Sequence, residues 1–169
     1  MIAPFLQALR QPEYVHVLLN PLPVYGLAVS IIGLVIALCQ RSRPAEVAML
    51  ALIVFCGVIA WPVGHYGEEA YDRALSLSDE QGQAWLKVHA QRADQFIFYF
   101  YALALIALAA ILAPRKWPQS ALGLTSITLV LAFVVLAMGG YIGYAGGRIR
   151  HREFRREPAP VPPVAQDEH

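Results

Sequence analysis

The stretch that decides the fold of this chain is ALGLTSITLVLAFVVLAMGGYIGYAGG, residues 121–147, in which none of the 27 residues is charged. A helix rises about 1.5 Å per residue, so about 20 apolar residues cross the hydrocarbon core of a bilayer. This run is therefore predicted to be a transmembrane helix. The same test identifies three more uncharged apolar runs, at residues 22–39, 47–64 and 96–113.

The composition of the whole chain agrees with a membrane protein. Of its 169 residues, 57% are hydrophobic and only 15% are charged, whereas about 25% of the residues in a soluble domain are charged. A net charge of +1 lacks the basic excess of a nucleic-acid-binding protein. The expected partner is the lipid bilayer. Because only helices satisfy their own backbone hydrogen bonds in lipid without forming a closed barrel, the predicted class is all-α.

The links between the apolar runs predict the topology. The links at 40–44 and 114–118 are short, which makes the helices they join antiparallel neighbours. The middle link is long and acidic, and in it Ser78 and Gln81 have the spacing of a capping box, so a helix is predicted to begin at Ser78 and to continue into the third span. We predict a four-transmembrane-helix antiparallel bundle with helix three extended beyond the membrane. The spans are expected at about residues 14–40, 46–65, 95–113 and 121–147.

The chain is predicted to form one four-helix membrane domain, residues 1–154, followed by a disordered Pro-rich tail, residues 155–169. Three glycines in the fourth span, Gly139, Gly143 and Gly147, recur at intervals of four. Such spacing allows close approach of another helix, and it predicts a helix-packing face. That face is expected to contact another helix of the bundle, a partner membrane subunit or a second copy of the chain.

The orientation in the membrane is predicted from the basic residues. An even number of spans puts both termini and the middle link on one side. On the other side Arg41 and Arg43 adjoin the first span, whereas only the distant Arg10 precedes it. The first helix usually dominates orientation, although the five arginines between residues 148 and 156 favour the reverse. We expect a multi-pass protein of the bacterial inner (cytoplasmic) membrane with both termini in the periplasm.

Four histidines, His16, His65, His89 and His151, fall on the side of the membrane that carries the termini, which we call the histidine face. Three of them, His16, His89 and His151, lie four to seven residues from the nearest apolar run. At the rise of a helix, this distance places them roughly 6–10 Å outside the apolar runs. They are therefore predicted to share one layer on three helices, with His65 slightly deeper.

This layer leaves three functional interpretations open. Imidazoles on opposed helices are typical ligands of a b-type haem, and nearby arginines would pair with its propionates. Imidazoles with carboxylates predict instead an iron, copper or zinc ion. The third interpretation is a structural role in a cofactor-free accessory subunit of a membrane complex. The haem candidates are His16, His89, His151, Arg148 and Arg150, and the metal candidates are His16, His65, His89, His151, Glu68 and Glu153.

The first interpretation predicts a small haem-binding electron-transfer or redox-accessory protein. No hydrolase, nucleotide-binding or zinc-protease motif is present, so the chain is not expected to be an enzyme. The four apolar runs contain no Asp, Glu, Lys or Arg. Because ionisable residues inside the membrane usually mark ion or proton pathways, their absence argues against a pump or a transporter.

Three short patches of the sequence occur together: HVLLNPLP at 16–23, GEEA at 67–70 and GGRIRHRE at 146–153. They are similar to the patterns HxxLNHxP, GExA and GGxIRHxE, and together they resemble a family of bacterial four-helix inner-membrane proteins of unknown function. The resemblance covers most of residues 14–154, and Pro21 stands where the family pattern has a second histidine. It directs attention to His16, Asn20, Glu68, His89, Arg150, His151 and Glu153 without implying an activity.

Overall fold

The computed structural model of the chain describes residues 2–160, and within this range it contains helices and turns but no strand. The helices are α1 Ile2–Ala8, α2 Pro12–Leu19, α3 Pro21–Cys39, α4 Arg43–Ser76, α5 Glu80–Leu112 and α6 Ser120–Arg150, with short 3-10 helices at Ala113–Arg115 and Arg152–Phe154. Four helical segments are long and apolar enough to cross a membrane, namely Pro12–Cys39, Arg43–Ser76, Glu80–Arg115 and Ser120–Arg150. The prediction of an all-α, multi-pass membrane protein is confirmed.

The four long helices form a ring in which each contacts its neighbours in the chain, and the ring closes where α3 meets α6. Its interior is filled by aliphatic side chains and alanines from all four helices, among them Leu27, Leu34, Leu50, Ile53, Leu103, Ala107, Ala132 and Val135. Large apolar side chains also cover the outside of the ring, including Ile32, Val58, Leu105 and Val130. Helices that are apolar all round suit a bundle that is surrounded by lipid.

Both middle helices project beyond the apolar runs at the histidine face. Helix α4 continues to Ser76, and only residues 77–79 separate it from α5. The extension of helix three is thus confirmed, and the middle link is a helical hairpin. The N-cap lies one residue later than predicted, because Asp79 accepts the backbone N–H of Gly82 at 2.8 Å, whereas the hydroxyl of Ser78 donates to the carbonyl of Ala74.

Two arginines of the C-terminal segment pair with Asp79 in this hairpin. Arg152 forms an exposed ion pair at 3.0 Å, and Arg155 forms a buried one that we call the tail clamp. The side chain of Arg155 is only 5% exposed, and its Nη1 donates to both carboxylate oxygens of Asp79 at 2.8 and 2.9 Å. Its Nε and Nη2 donate to the carbonyls of Arg148 and Ile149 in the last turn of α6. One guanidinium therefore caps the end of α6 and binds the start of α5.

Because of the tail clamp, the start of the C-terminal tail is more ordered than the sequence predicts. The predicted disordered tail begins at residue 155, but the side chain of Arg155 is buried, and Ala159 packs against the cluster of Trp85, Val88 and Ala145. The start of the tail lies against the bundle because its arginine satisfies helix-end carbonyls that would otherwise lack partners. The remaining tail, residues 161–169, lies outside the described residues, and its disorder stays a prediction.

Two helix backbones approach each other closely where α4 crosses α5. A Cβ atom on Gly57 would lie 2.5 Å from the carbonyl oxygen of Phe100 and 2.7 Å from Cβ of Ala104. Real Cβ atoms essentially never approach a backbone oxygen so closely, so only glycine allows this crossing. The sequence pattern did not single out Gly57.

The three glycines of the predicted packing face have different environments. A Cβ on Gly139 would lie 3.1 Å from Val24 and 3.2 Å from Phe100, so this residue allows α6 to approach α3 and α5. Gly143 is exposed and would meet no atom within 4 Å, while Gly147 has only Phe154 at 3.8 Å. Within the described chain the three do not form one contact surface, because only Gly139 lies against other long helices.

We predict that Gly57→Ala destabilises the bundle by about 1–3 kcal/mol, the usual cost of overpacking a close contact. The measurement is denaturant unfolding of the detergent-solubilised protein, followed by circular dichroism. Gly140→Ala is the matched control, because a Cβ there would meet nothing within 4 Å. Equal stability of the two variants would contradict the close crossing of α4 and α5.

We also predict that acid releases the tail clamp. The backbone N–H of Gly82 and then Arg155 lower the pKa of Asp79 below its ordinary value. Because the folded pKa lies below the unfolded one, the stabilisation is present above the unfolded pKa and is lost as the pH falls through the folded pKa. A spin label at Ala159→Cys, in a chain whose native cysteines are replaced, should become mobile on acid titration.

The control for this titration is Asp79→Asn, which removes the charged partner of Arg155. Its label should already be mobile at neutral pH and should show no acid transition. If the label in Asp79→Asn stayed as immobile as in the parent chain at neutral pH, the clamp would not be what holds the tail.

Candidate functional site

His16 on α2 is held against α4 by a hydrogen bond and a close glycine contact. Its Nδ1 lies 2.9 Å from the carbonyl oxygen of Val63. A Cβ on Gly67, one helical turn after Val63, would lie 3.0 Å from the imidazole atoms Cε1 and Nδ1. The glycine therefore gives the ring room to approach α4 and to reach the carbonyl.

His89 on α5 repeats this arrangement against α6. Its Nδ1 lies 3.0 Å from the carbonyl oxygen of Ile142, and a Cβ on Gly146 would lie 3.1 Å from Cε1 and Nδ1. Gly146 again follows the accepting residue by four positions. Two histidines on different helices thus use the same carbonyl-plus-glycine seat on a neighbouring helix.

The two seated rings, which we call the His pair, are in T-shaped contact, and both residues are partly buried. The centroids of His16 and His89 are 6.3 Å apart, and their planes are inclined by 85°. A carbonyl can only accept a hydrogen bond, so each Nδ1 must carry the proton, and in the neutral ring Nε2 keeps a free lone pair. Metal-ligating histidines are commonly oriented in this way, with the non-ligating nitrogen bound to a carbonyl.

His151 does not join the His pair, which corrects the prediction of three converging rings. Helix α6 ends at Arg150, and His151 has an extended backbone with ψ 94°. Its ring is therefore turned away from the inner face of α6, stacks on Phe154 at 5.0 Å and lies 2.9 Å from Glu153. The pKa of the Glu153 carboxyl is lowered, first by its own backbone N–H and then by His151.

The other predicted ligands also lie apart from the His pair. His65 stacks on Trp61 with ring centroids 5.6 Å apart and lies 3.5 Å from Glu69, and its side chain is about half exposed. Glu68 is exposed. In residues 2–160 no group of three or more His, Cys, Asp or Glu side chains is arranged to hold a metal ion. The His pair therefore consists of two imidazoles without a third such side chain grouped with them in the described residues.

The predicted arginines are placed near aromatic rings and the water boundary. The guanidinium of Arg148 lies 3.5 Å from the ring centroid of Tyr144 and 5.2 Å from that of Trp85, and its Nη1 donates to the Tyr144 carbonyl. Arg150, the last residue of α6, is exposed. Their pairing with haem propionates stays a prediction.

Arg92 is a residue of this region that the sequence patterns did not identify as part of a site. It is 8% exposed, donates from Nη1 to the carbonyl of Tyr141 at 2.9 Å, and lies 3.5 Å from the centroid of the Tyr141 ring. It follows His89 by three positions on α5, so both side chains reach adjacent carbonyls of α6. The spacing of three positions puts His89 and Arg92 on one face of α5, and this pattern could have identified Arg92 from the sequence.

Comparison of the chain with protein-family models, curated proteins and solved structures gave no match. The case for a function therefore depends on the chemistry of the histidine face itself. At this face the structure brings together His16 and His89, each with its Nδ1 within hydrogen-bond distance of a backbone carbonyl.

Proposed function

We propose that this integral membrane protein binds one b-type haem through His16 and His89 and acts in electron transfer or as a redox-accessory protein. We further propose that it lies in the bacterial inner membrane with the histidine face in the periplasm. The resemblance of the three sequence patches to bacterial inner-membrane proteins, and the arginines that adjoin the first span on the opposite side, support this placement.

The observation that carries the proposal is the geometry of the His pair. Nitrogen–metal bonds of about 2.0–2.1 Å give two imidazoles that share one ion a centroid separation of roughly 5–6.5 Å. The observed separation is 6.3 Å. Each ring is also fixed in the tautomer that leaves Nε2 free, since its Nδ1 must donate to a carbonyl oxygen.

The number of ligands favours haem over a bare metal ion. A protein-bound zinc, iron or copper ion usually takes three or four protein ligands. The described residues offer two imidazoles and no third ligand group nearby. A porphyrin supplies four nitrogens of its own, so two axial histidines complete the coordination of its iron.

The experiment is an absorption spectrum of the purified protein, oxidised and chemically reduced, after expression with a supply of haem. We expect a Soret band, sharp bands in the reduced state and about one haem per chain. His16→Ala and His89→Ala should each abolish these bands, because each removes one axial nitrogen. His65→Ala and His151→Ala are the matched controls from the same face, and they should retain full haem content.

A second pair of variants separates ligation from helix packing. Asn carries an amide N–H close to the position of Nδ1 but has no counterpart of Nε2. His16→Asn and His89→Asn can therefore keep the bonds to Val63 and Ile142 while removing the ligand nitrogen. They should fold, as judged by gel filtration and helical circular dichroism, and contain no haem.

Three outcomes would reject the haem proposal. Full haem content in His89→Asn would show that this residue is not a ligand. A colourless protein that holds one ion per chain, lost in both Asn variants, would indicate a non-haem metal centre. A protein with neither haem nor metal would leave the His pair as a contact between helices in a cofactor-free subunit.

A further inference from the structure

A separate pocket of about 530 Å³ lies on the outer side of the α5–α6 pair, and we call it the Arg92 pocket. Its floor is formed by α5 and α6, and the beginning of the C-terminal tail forms its outer rim. The lining residues are Trp85, Arg92, Ala137, Tyr141, Tyr144, Glu157, Pro158 and Pro160. None of these residues belongs to the His pair.

The pocket contains a buried cation that has no acidic partner among the described side chains. Arg92 is 8% exposed and forms no salt bridge within residues 5–160. Arginine keeps its charge at every accessible pH, so the cost of burying it cannot be avoided by deprotonation. The ring of Tyr141 compensates part of this cost through a cation–π contact at 3.5 Å.

A second hydrogen-bond donor beside the pocket is also unused. Trp85 is 3% exposed, and its indole Nε1 has no hydrogen-bond partner in the described part of the chain. Buried polar atoms almost always have a partner, so an isolated donor beside a pocket indicates a ligand acceptor. Trp85 lies seven positions, or about two helical turns, before Arg92, so a ligand that reaches both donors must offer more than one acceptor oxygen.

The charge around the pocket favours an anion. Arg148 stacks on the opposite side of the region, 3.5 Å from the Tyr144 centroid, and it also lacks a described carboxylate partner. Glu157 contributes one negative charge at the rim. Arg148 does not line the pocket, but its guanidinium lies near two lining rings, those of Tyr144 and Trp85. Arg92 and Arg148 thus place two positive charges in this region against the one negative charge of Glu157.

The depth of the pocket identifies the ligand class. Arg92 precedes the apolar run that begins at residue 96 by four positions, or about 6 Å along a helix. This is the depth of the polar headgroup layer, which extends about 5–7 Å beyond the hydrocarbon core on each side. Ala137, at the other end of the pocket, is one turn deeper than Tyr141 and lies within the apolar run.

We propose that the Arg92 pocket binds an acidic phospholipid, with its phosphate at Arg92, an outer headgroup oxygen at the indole N–H of Trp85, and its acyl chain directed past Ala137 into the bilayer. The planar guanidinium suits a phosphate, to which it can donate two parallel hydrogen bonds. The tail residues Glu157, Pro158 and Pro160 cover the headgroup from the aqueous side.

The test is native mass spectrometry of the detergent-solubilised full chain titrated with phosphatidylglycerol, with phosphatidylcholine, or with inorganic phosphate. We expect one phosphatidylglycerol to be retained per chain, with at least about tenfold preference over the zwitterionic lipid, since two guanidinium groups lie in the region of its phosphate. Inorganic phosphate should neither bind at the same concentration nor displace the lipid.

Variants assign the binding to the pocket. Arg92→Gln should weaken phosphatidylglycerol binding by at least about tenfold, whereas Glu157→Gln should strengthen it. Arg73→Gln is the matched control, because Arg73 is 61% exposed and pairs with Glu13 on the same face. It removes one positive charge away from the pocket and should leave lipid binding unchanged.

Trp85→Phe keeps an aromatic ring and removes only the indole N–H, so it remains informative if Arg92→Gln fails to fold. We expect it to weaken binding about threefold to tenfold. Equal binding of the two lipids by the parent chain would overturn the proposal, as would unchanged binding in Trp85→Phe or displacement by inorganic phosphate. The last result would identify a site for a soluble anion.

Discussion

Side-chain N–H groups that donate to backbone carbonyls of neighbouring helices hold this bundle at both ends. His16 and His89 bind carbonyls of α4 and α6 at the histidine face, and Arg43 binds the carbonyl of Ala110 at the opposite face. In lipid, burial of apolar surface contributes little to the association of helices. Close packing and such hydrogen bonds must therefore determine which helices pair and in what register. A helical carbonyl retains a second lone pair after its bond within the helix, and this lone pair receives the cross-helix donor.

The spans and the class could be predicted from the sequence because lipid imposes both length and composition on any helix that crosses it. The extension of α5 could be predicted as well, since capping is local chemistry. The cap itself was displaced by one residue because Ser78 and Asp79 are both good N-cap residues. Only the fold decides that the Ser78 hydroxyl bonds backward to Ala74 and leaves Asp79 to accept Gly82.

The candidate site could be predicted only in part, because sequence spacing gives depth but not direction around a helix. The shared depth of His16 and His89 corresponds to a real contact between their rings. The sequence placed His151 at the same depth as His16 and His89. However, His151 follows the end of α6, and its ring does not point into the bundle. The spacing of glycines had the same limitation. Gly67 and Gly146 matter for the His pair because a histidine ring from another helix packs against each of them, which spacing alone does not reveal.

The two proposed sites of the histidine face share one structural element, the pair of adjacent carbonyls at Tyr141 and Ile142. Arg92 donates to the first and His89 to the second. Arg92 and His89 are less than one turn apart on α5. A rotation of α6 that lengthens the hydrogen bond from Arg92 to Tyr141 must therefore also change the hydrogen bond from His89 to Ile142. If a bound phosphate draws the Arg92 guanidinium away from the Tyr141 carbonyl, the adjacent Ile142 carbonyl shifts as well, and its hydrogen bond with His89 changes. Any such coupling is reciprocal, because a ligand at the His pair must change the affinity of the Arg92 pocket by the same factor.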